Sequence, residues 1–323
     1  MNSKNLLILG KIPPPIGGVT IHTIRLIEHL NSENIDYSFY NNNNFNLFTF
    51  LKAIFLSKKA HIHLNNPFFL FLFVIICKLF NTYSIITIHG NIASYGKIPT
   101  FFEKLAIKTS NLPIVLNQKS YSIASKFNSK CKLMSAFIPP IKTEILEEQL
   151  QLKIDSLKTS SDYIFCTNAY SHVYDKNRNE IYGILPLINL FNNYPKLGLI
   201  LSDPKGEYQN YFLLNNYKVN NNIIILNKNH SFFEVIKQSD CLIRNTTIDG
   251  DSLSINEALF CRKPVIATDC VSRPNGVITY GESTSLSLEN AIIKASKNNN
   301  YKPKYIPSNC ATELIELYKS QNK

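Results

Sequence analysis

Asp249-Gly-Asp-Ser-Leu-Ser-Ile-Asn-Glu-Ala-Leu259, followed by Lys263-Pro-Val-Ile-Ala-Thr-Asp269, reads as a polar turn, an opening helix and then a buried β-branched strand. Two acidic side chains, Asp249 and Glu257, and several free backbone N–H groups therefore converge at one helix start. Helix N-termini carry unpaired donors and about half a positive charge, which suits a diphosphate. A carboxylate a turn or two along can accept hydrogen bonds from sugar hydroxyls. The stretch predicts a place for a phosphate and a polyol side by side.

Outward from it, short β-branched runs alternate with longer helical patterns, the mark of βα units and a parallel sheet. In the first half the expected strands are 5–10, 36–40, 60–64, 84–88, 113–116 and 132–137, with helices at 19–30, 48–56, 68–80, 101–108 and 119–127. Ile138-Pro-Pro140 stops the pattern, and a polar Glu/Gln/Lys-rich stretch runs to Ser161. Alternation resumes with strands at 163–166, 197–201, 222–226, 241–244 and 264–268 and helices around 180–191, 207–215, 232–237, 254–260 and 286–295. The expectation is an α/β chain of two Rossmann-like doubly wound domains, 1–158 and 159–323, facing across a cleft, with the last helix able to pack back on the first. Ligands of such sheets bind beyond the carboxyl ends of the strands.

Bulk properties agree. The 323 residues, 45% of them hydrophobic, suit two cores. Seven Cys, odd in number and without Cys-x-x-Cys spacing, read as reduced core thiols of a cytoplasmic protein. Leu6 to Leu9 is too short for a secretory segment, and the apolar run 67–77 falls short of the roughly 20 residues of a bilayer span. Net charge is +11, and residues 1–158 hold 17 Lys/Arg against 8 Asp/Glu. That basic excess favours an anionic partner: an acidic membrane surface, a diphosphate-linked lipid or a nucleic acid. Nucleic acid is set aside, because no recognition-helix, zinc-finger or RNP-like motif is present.

Lys11-Ile-Pro-Pro-Pro-Ile-Gly17-Gly18-Val19 follows the first strand and leads into a helix carrying His22. It has neither dinucleotide nor P-loop glycine spacing, which removes the main support for NAD or ATP. Adjacent glycines still allow close backbone approach to a ligand, or simply a tight turn. His89 ends a β-like run and precedes a glycine-containing loop, placing it at a carboxyl strand end. His61 and His63, two apart on a strand, share a face, but no third metal ligand is evident, so no metal site is expected.

The Asp249–Glu257 block, two acids separated by seven residues, resembles the C-terminal signature of the retaining GT-B glycosyltransferases of family 4. The family usually has Glu at the first position. The continuation Val271-Ser-Arg273-Pro-Asn-Gly-Val277 is similar to members that build bacterial surface polysaccharides. That resemblance implies transfer of a sugar from a nucleoside-diphosphate sugar, which is a substrate and not a cofactor, to a saccharide or lipid-linked saccharide hydroxyl. It implies Gly17 and Gly18 over the donor phosphates, and His89 and Asp249 on the sugar. Glu257 would lie on the ribose or sugar, with Asp251, Ser252, Leu253, Ser254 and Arg273 around the donor. The basic first domain would hold the acceptor at the inner face of the membrane. In one respect the chain departs from the pattern. The Arg and Lys that the family carries after the first strand of the donor domain are replaced by Thr167-Asn-Ala-Tyr170, and the nearest cations are Lys176 and Arg178. Either these fold back, or the Ser252 helix start and Arg273 supply the positive field, or donor binding is lost and the chain is a silent partner subunit.

Overall fold

The computed structural model describes residues 5–320 apart from 15, 45, 95, 143, 282, 283, 285, 299 and 300. The chain divides into two units, Met1–Ile141 with Ser308–Lys323, and Lys142–Pro307. In the first unit β1 (Leu6–Gly10), α1 (Gly18–Ser32), β2 (Ser38–Asn41), α2 (Leu47–Phe55), β3 (Lys59–Ile62), α3 (Pro67–Leu79), β4 (Tyr83–Ile88), α4 (Lys97–Thr109), β5 (Leu112–Val115), α5 (Gln118–Ala124) and β6 (Lys132–Leu133) follow one another. The second holds α6 (Glu148–Ser160), β7 (Tyr163–Asn168), α7 (Ile184–Asn192), β8 (Leu197–Ser202), α8 (Glu207–Leu214), β9 (Ile223–Leu226), α9 (Phe232–Gln238), β10 (Cys241–Arg244), α10 (Leu253–Phe260), β11 (Val265–Thr268), β12 (Val277–Tyr280) and α11 (Leu288–Ser296). The last helix, α12 (Cys310–Ser320), returns to the first unit.

Each unit is one six-stranded parallel sheet, in the orders β2-β1-β3-β4-β5-β6 and β12-β11-β10-β7-β8-β9. Both faces of each sheet are covered, as the unbroken apolar strands require. Leu7 and Leu9 enter one core of the first unit and Leu6 and Ile8 the other. In the second unit Tyr163 and Phe165 alternate in the same way with Ile164 and Cys166. Side-chain caps set several helix starts: Asn66 accepts from the N–H groups of Phe68 and Phe69 ahead of Pro67, and Asn117 accepts from that of Ser120.

Three of the following features differ from the sequence reading, which itself allows the last helix to pack back on the first unit. The boundary falls at 141/142, not 158/159, because the polar stretch after Pro140 contains α6, whose Leu150, Ile154 and Leu157 pack on Ile164 and Ile200 of the second unit. The C-terminal α12 buries Ala311, Leu314, Ile315 and Tyr318 against Leu6, Ile8, Leu26 and Leu30 of the first. The sixth strand stops at Leu133, because the carbonyls of Ala136, Ile138 and Pro139 accept instead from His22, Arg25 and His29 of α1. Val277–Tyr280, unassigned in the sequence, pairs in parallel with β11.

Candidate functional site

In the second unit the decisive stretch folds as expected at its centre. The β10 strand ends at Arg244, a loop follows, and α10 opens after Ser252. Ser252 takes the N-cap position with extended backbone, but its hydroxyl meets that of Ser254 at 3.1 Å and makes no cap hydrogen bond. Asp251 turns its Oδ1 to Asn256 Nδ2 at 2.9 Å. Among the described residues no side-chain cap is seen on the first amides of α10, from Leu253 onward, at the carboxyl edge of the sheet, an arrangement that attracts anions. Glu257 lies in the second turn of the helix and is buried.

Asp249 is held by two guanidinium groups. Arg244 meets it through Nε and Nη2, both at 3.2 Å, and Arg273 through Nη1 at 2.8 Å. All three side chains are largely buried, with Asp249 7% and Arg273 3% exposed. Burial alone would raise the Asp249 carboxyl, but Arg244 and then Arg273 outweigh it and hold it below the usual carboxylate value. Sequence reasoning assigned Asp249 to sugar hydroxyls; in the structure both its oxygens meet arginine. Two cations on one anion leave the cluster with a net positive charge just before the uncapped helix start.

Arg244 is the residue the sequence reading missed. It was read as the last residue of a strand, and its type at a carboxyl strand end was the available signal. Its Nη1 donates to the backbone and side-chain oxygens of Asn168, at the end of β7, and its guanidinium lies 5.4 Å from the Tyr182 ring centre. Arg273 is pinned further by Nε to the Thr268 carbonyl at 2.8 Å. A second missed cation, Lys205, follows β8 and sits 3.9 Å from the ring centre of Tyr170, in the loop after β7.

Lys176 and Arg178 lie exposed on a turn closed by the Tyr174–Glu180 bridge, where Asp175 accepts from the Asn177 and Asn179 amides. That turn is tied to the β10 loop by Thr247 N–H on the Ile181 carbonyl. Among the described residues neither cation makes an ion pair with Asp249 or with α10. The start of α7 just beyond it is closed by the chain itself, because Glu180 accepts from both Ile184 and Leu185 amides.

In the first unit Gly17 and Gly18 open α1, Gly17 as an extended N-cap residue and Gly18 with nothing within 4 Å of where a Cβ would stand. His89 follows β4, His63 follows β3, and His22 reaches them from α1. His63 Nδ1 and His89 Nε2 are 3.1 Å apart. His61, its ring 4.0 Å from that of His63, is spoken for on both nitrogens, by Thr87 Oγ1 and the Tyr318 hydroxyl. Burial lowers all four imidazoles, His22 to about 4, His61 to about 3, His63 and His89 well below their usual value, so they are neutral at pH 7.

No family model matches the sequence. An uncharacterized glycosyltransferase of Methanocaldococcus jannaschii is 25% identical over 190 residues, which is 57% of this chain but 46% of that protein; the chain thus spans about half of the relative it matches. Among solved structures, Anabaena HepE in complex with UDP and glucose aligns over 98% of this chain and 95% of its own with a TM-score of 0.69 at 13% identity. The UDP-GlcNAc 2-epimerase of Methanocaldococcus jannaschii aligns over 98% and 99% with a TM-score of 0.62 at 12% identity. These likenesses identify the fold as GT-B, with its two parallel α/β sheets.

Proposed function

We propose that the chain is a retaining glycosyltransferase that moves a hexosyl or N-acetylhexosaminyl group from a nucleoside diphosphate to a saccharide hydroxyl in surface polysaccharide assembly. The observation that carries this reading is the uncapped start of α10 beside the net-positive Arg244–Asp249–Arg273 cluster. As the bond from the sugar to the β-phosphate breaks, its electrons go to the phosphate and the sugar gains oxocarbenium character. Fixed donors aimed at that phosphate lower the barrier, each worth about 3 to 4 kcal/mol when removed, and no divalent ion is required of them. Asp249 keeps the two guanidinium groups in place, Glu257 binds the ribose or sugar, and the first unit takes the acceptor.

A lipid-linked acceptor fits the surface of the first unit. Between residues 37 and 143 there are twelve Lys and a single acid, Glu103, and Glu103 is buried with Oε2 accepting the Ala93 amide. On α2, α3 and α4 the large apolar side chains Phe48, Phe55, Phe68, Leu79, Ile98 and Phe101 are exposed. Phe55 meets the ring of Phe80 at 5.9 Å, and Phe68 and Phe101 both meet that of Phe102, at 5.3 and 5.7 Å. Among the described residues no helix is long and apolar enough to cross a membrane. An apolar face set among lysines suits the headgroup region of an acidic bilayer, as a peripheral protein at its cytoplasmic side would need.

The test is a thermal-shift screen of UDP, GDP and their common sugars, followed by turnover. Glu257→Ala should lower turnover at least tenfold, about 1.4 kcal/mol of barrier, while the fold survives; unchanged turnover sinks the assigned site. One observation favours a second reading, a silent subunit that stabilises a partner transferase: Glu180 occupies the α7 amides, and Lys176 and Arg178 stand apart. Absence of any shift with every nucleotide would select it. Conversion of donor without acceptor would select an epimerase instead.

A further inference from the structure

We propose that His22, His63 and His89 form a binding site for one zinc-class transition-metal ion. One ring nitrogen from each lies within 4.8 Å of the others. The three come from α1 and from the residues just past β3 and β4, so the fold, and not a local motif, assembles them.

The argument rests on unused lone pairs. His22 Nδ1 lies 2.8 Å from the Ala136 carbonyl oxygen, which can only accept, so the proton sits on Nδ1 and Nε2 is a bare lone pair. Among the described residues that buried Nε2 has no hydrogen-bond partner and neither has His63 Nε2, while His63 Nδ1 and His89 Nε2 face only each other at 3.1 Å. Leaving a buried polar atom unmatched costs free energy, and neighbouring His61 shows the alternative, with both nitrogens satisfied. A carbonyl holding the far nitrogen of an imidazole is also how metal-binding histidines are oriented and their tautomer set.

Three neutral imidazoles with no carboxylate among them select zinc or cobalt over magnesium or calcium, which want oxygen. They leave a fourth position for water or a substrate oxygen. Tetrahedral zinc holds its nitrogens about 3.3 Å apart, so binding draws the rings inward, the half-buried His89 being the least confined. This proposal does not depend on the transferase reading, since the leaving diphosphate is met by arginine and helix amides in the other unit.

The test uses untagged, chelator-treated full-length protein titrated with Co(II) and with Zn(II), read by metal analysis, Co(II) absorption and thermal shift. One equivalent should bind with the absorption of four-coordinate Co(II), raising Tm. His22→Gln and His63→Gln should each weaken binding at least tenfold, while His172→Ala, in the second unit, should leave it unchanged. If a buried variant fails to fold, His89→Gln carries the same expectation from a half-buried position. No stoichiometric binding, binding of equal strength in the folded cluster variants, or loss in His172→Ala would overturn the site.

Discussion

Asp249 joins two arginines on one buried carboxylate, so its removal is felt twice. Asp249→Ala leaves Arg244 and Arg273 buried without their counter-charge, and we expect a loss of about 3 to 5 kcal/mol in urea denaturation, together with loss of nucleotide-induced stabilisation. His230 reports on pH. Its Nδ1 faces the Lys228 carbonyl and its Nε2 the Ser202 hydroxyl, and burial lowers it from 6.5. Below pH 6.5 the unfolded chain takes up a proton that the folded imidazole refuses. This contribution is therefore complete above pH 6.5 and shrinks as the pH falls toward the lowered folded value. His230→Gln should make the decline of Tm below pH 6.5 shallower, the rest of the decline belonging to the four buried imidazoles of the first unit.

At the scale of elements, two glycines at helix starts have opposite consequences. Gly183 precedes α7 with φ +57°, and a Cβ there would fall 2.4 Å from the Asn245 carbonyl oxygen. Gly183→Ala should cost more than about 1 kcal/mol, because the conformation and the neighbour both exclude it. Gly18, the first residue of α1, has open space around its Cβ position. Gly18→Ala should leave Tm unchanged, and if the glycine loop serves the donor phosphates it should reduce the shift produced by UDP. A retained shift would mark the loop as a plain turn. In α6, Leu150, Ile154 and Leu157 recur at helical spacing among charged residues. The period was present in the sequence, but its high polarity let it pass for a linker.

The whole molecule is two sheets in one chain, and α12 covers one face of the first of them. Leu314 is fully buried against strands more than two hundred residues earlier, so Leu314→Ala should cost about 2 to 5 kcal/mol, seen as loss of the transition of the first unit in calorimetry. The apolar lysine-rich face of that unit should bind vesicles containing acidic phospholipid. Binding should weaken with salt and fall at least tenfold when Phe48 and Phe55 are both changed to Asp, since each buried Phe contributes about 1.5 to 3 kcal/mol. Equal binding by the double variant would remove the face from consideration.

Local pattern alone determined the alternating strands and helices, the parallel α/β class and the helix that opens at Ser252. These depend on period, β-branching and capping within a few residues, and such preferences are written along the chain. Tertiary structure decided what Asp249 touches, that Arg244 reaches it, that α6 belongs to the second unit, and that His22 completes a trio with His63 and His89. Each of those is a meeting of groups from different elements, set by which strands lie side by side and how the helices pack over them. A linear pattern records each partner's type, but only the packed sheet brings them within reach of one another.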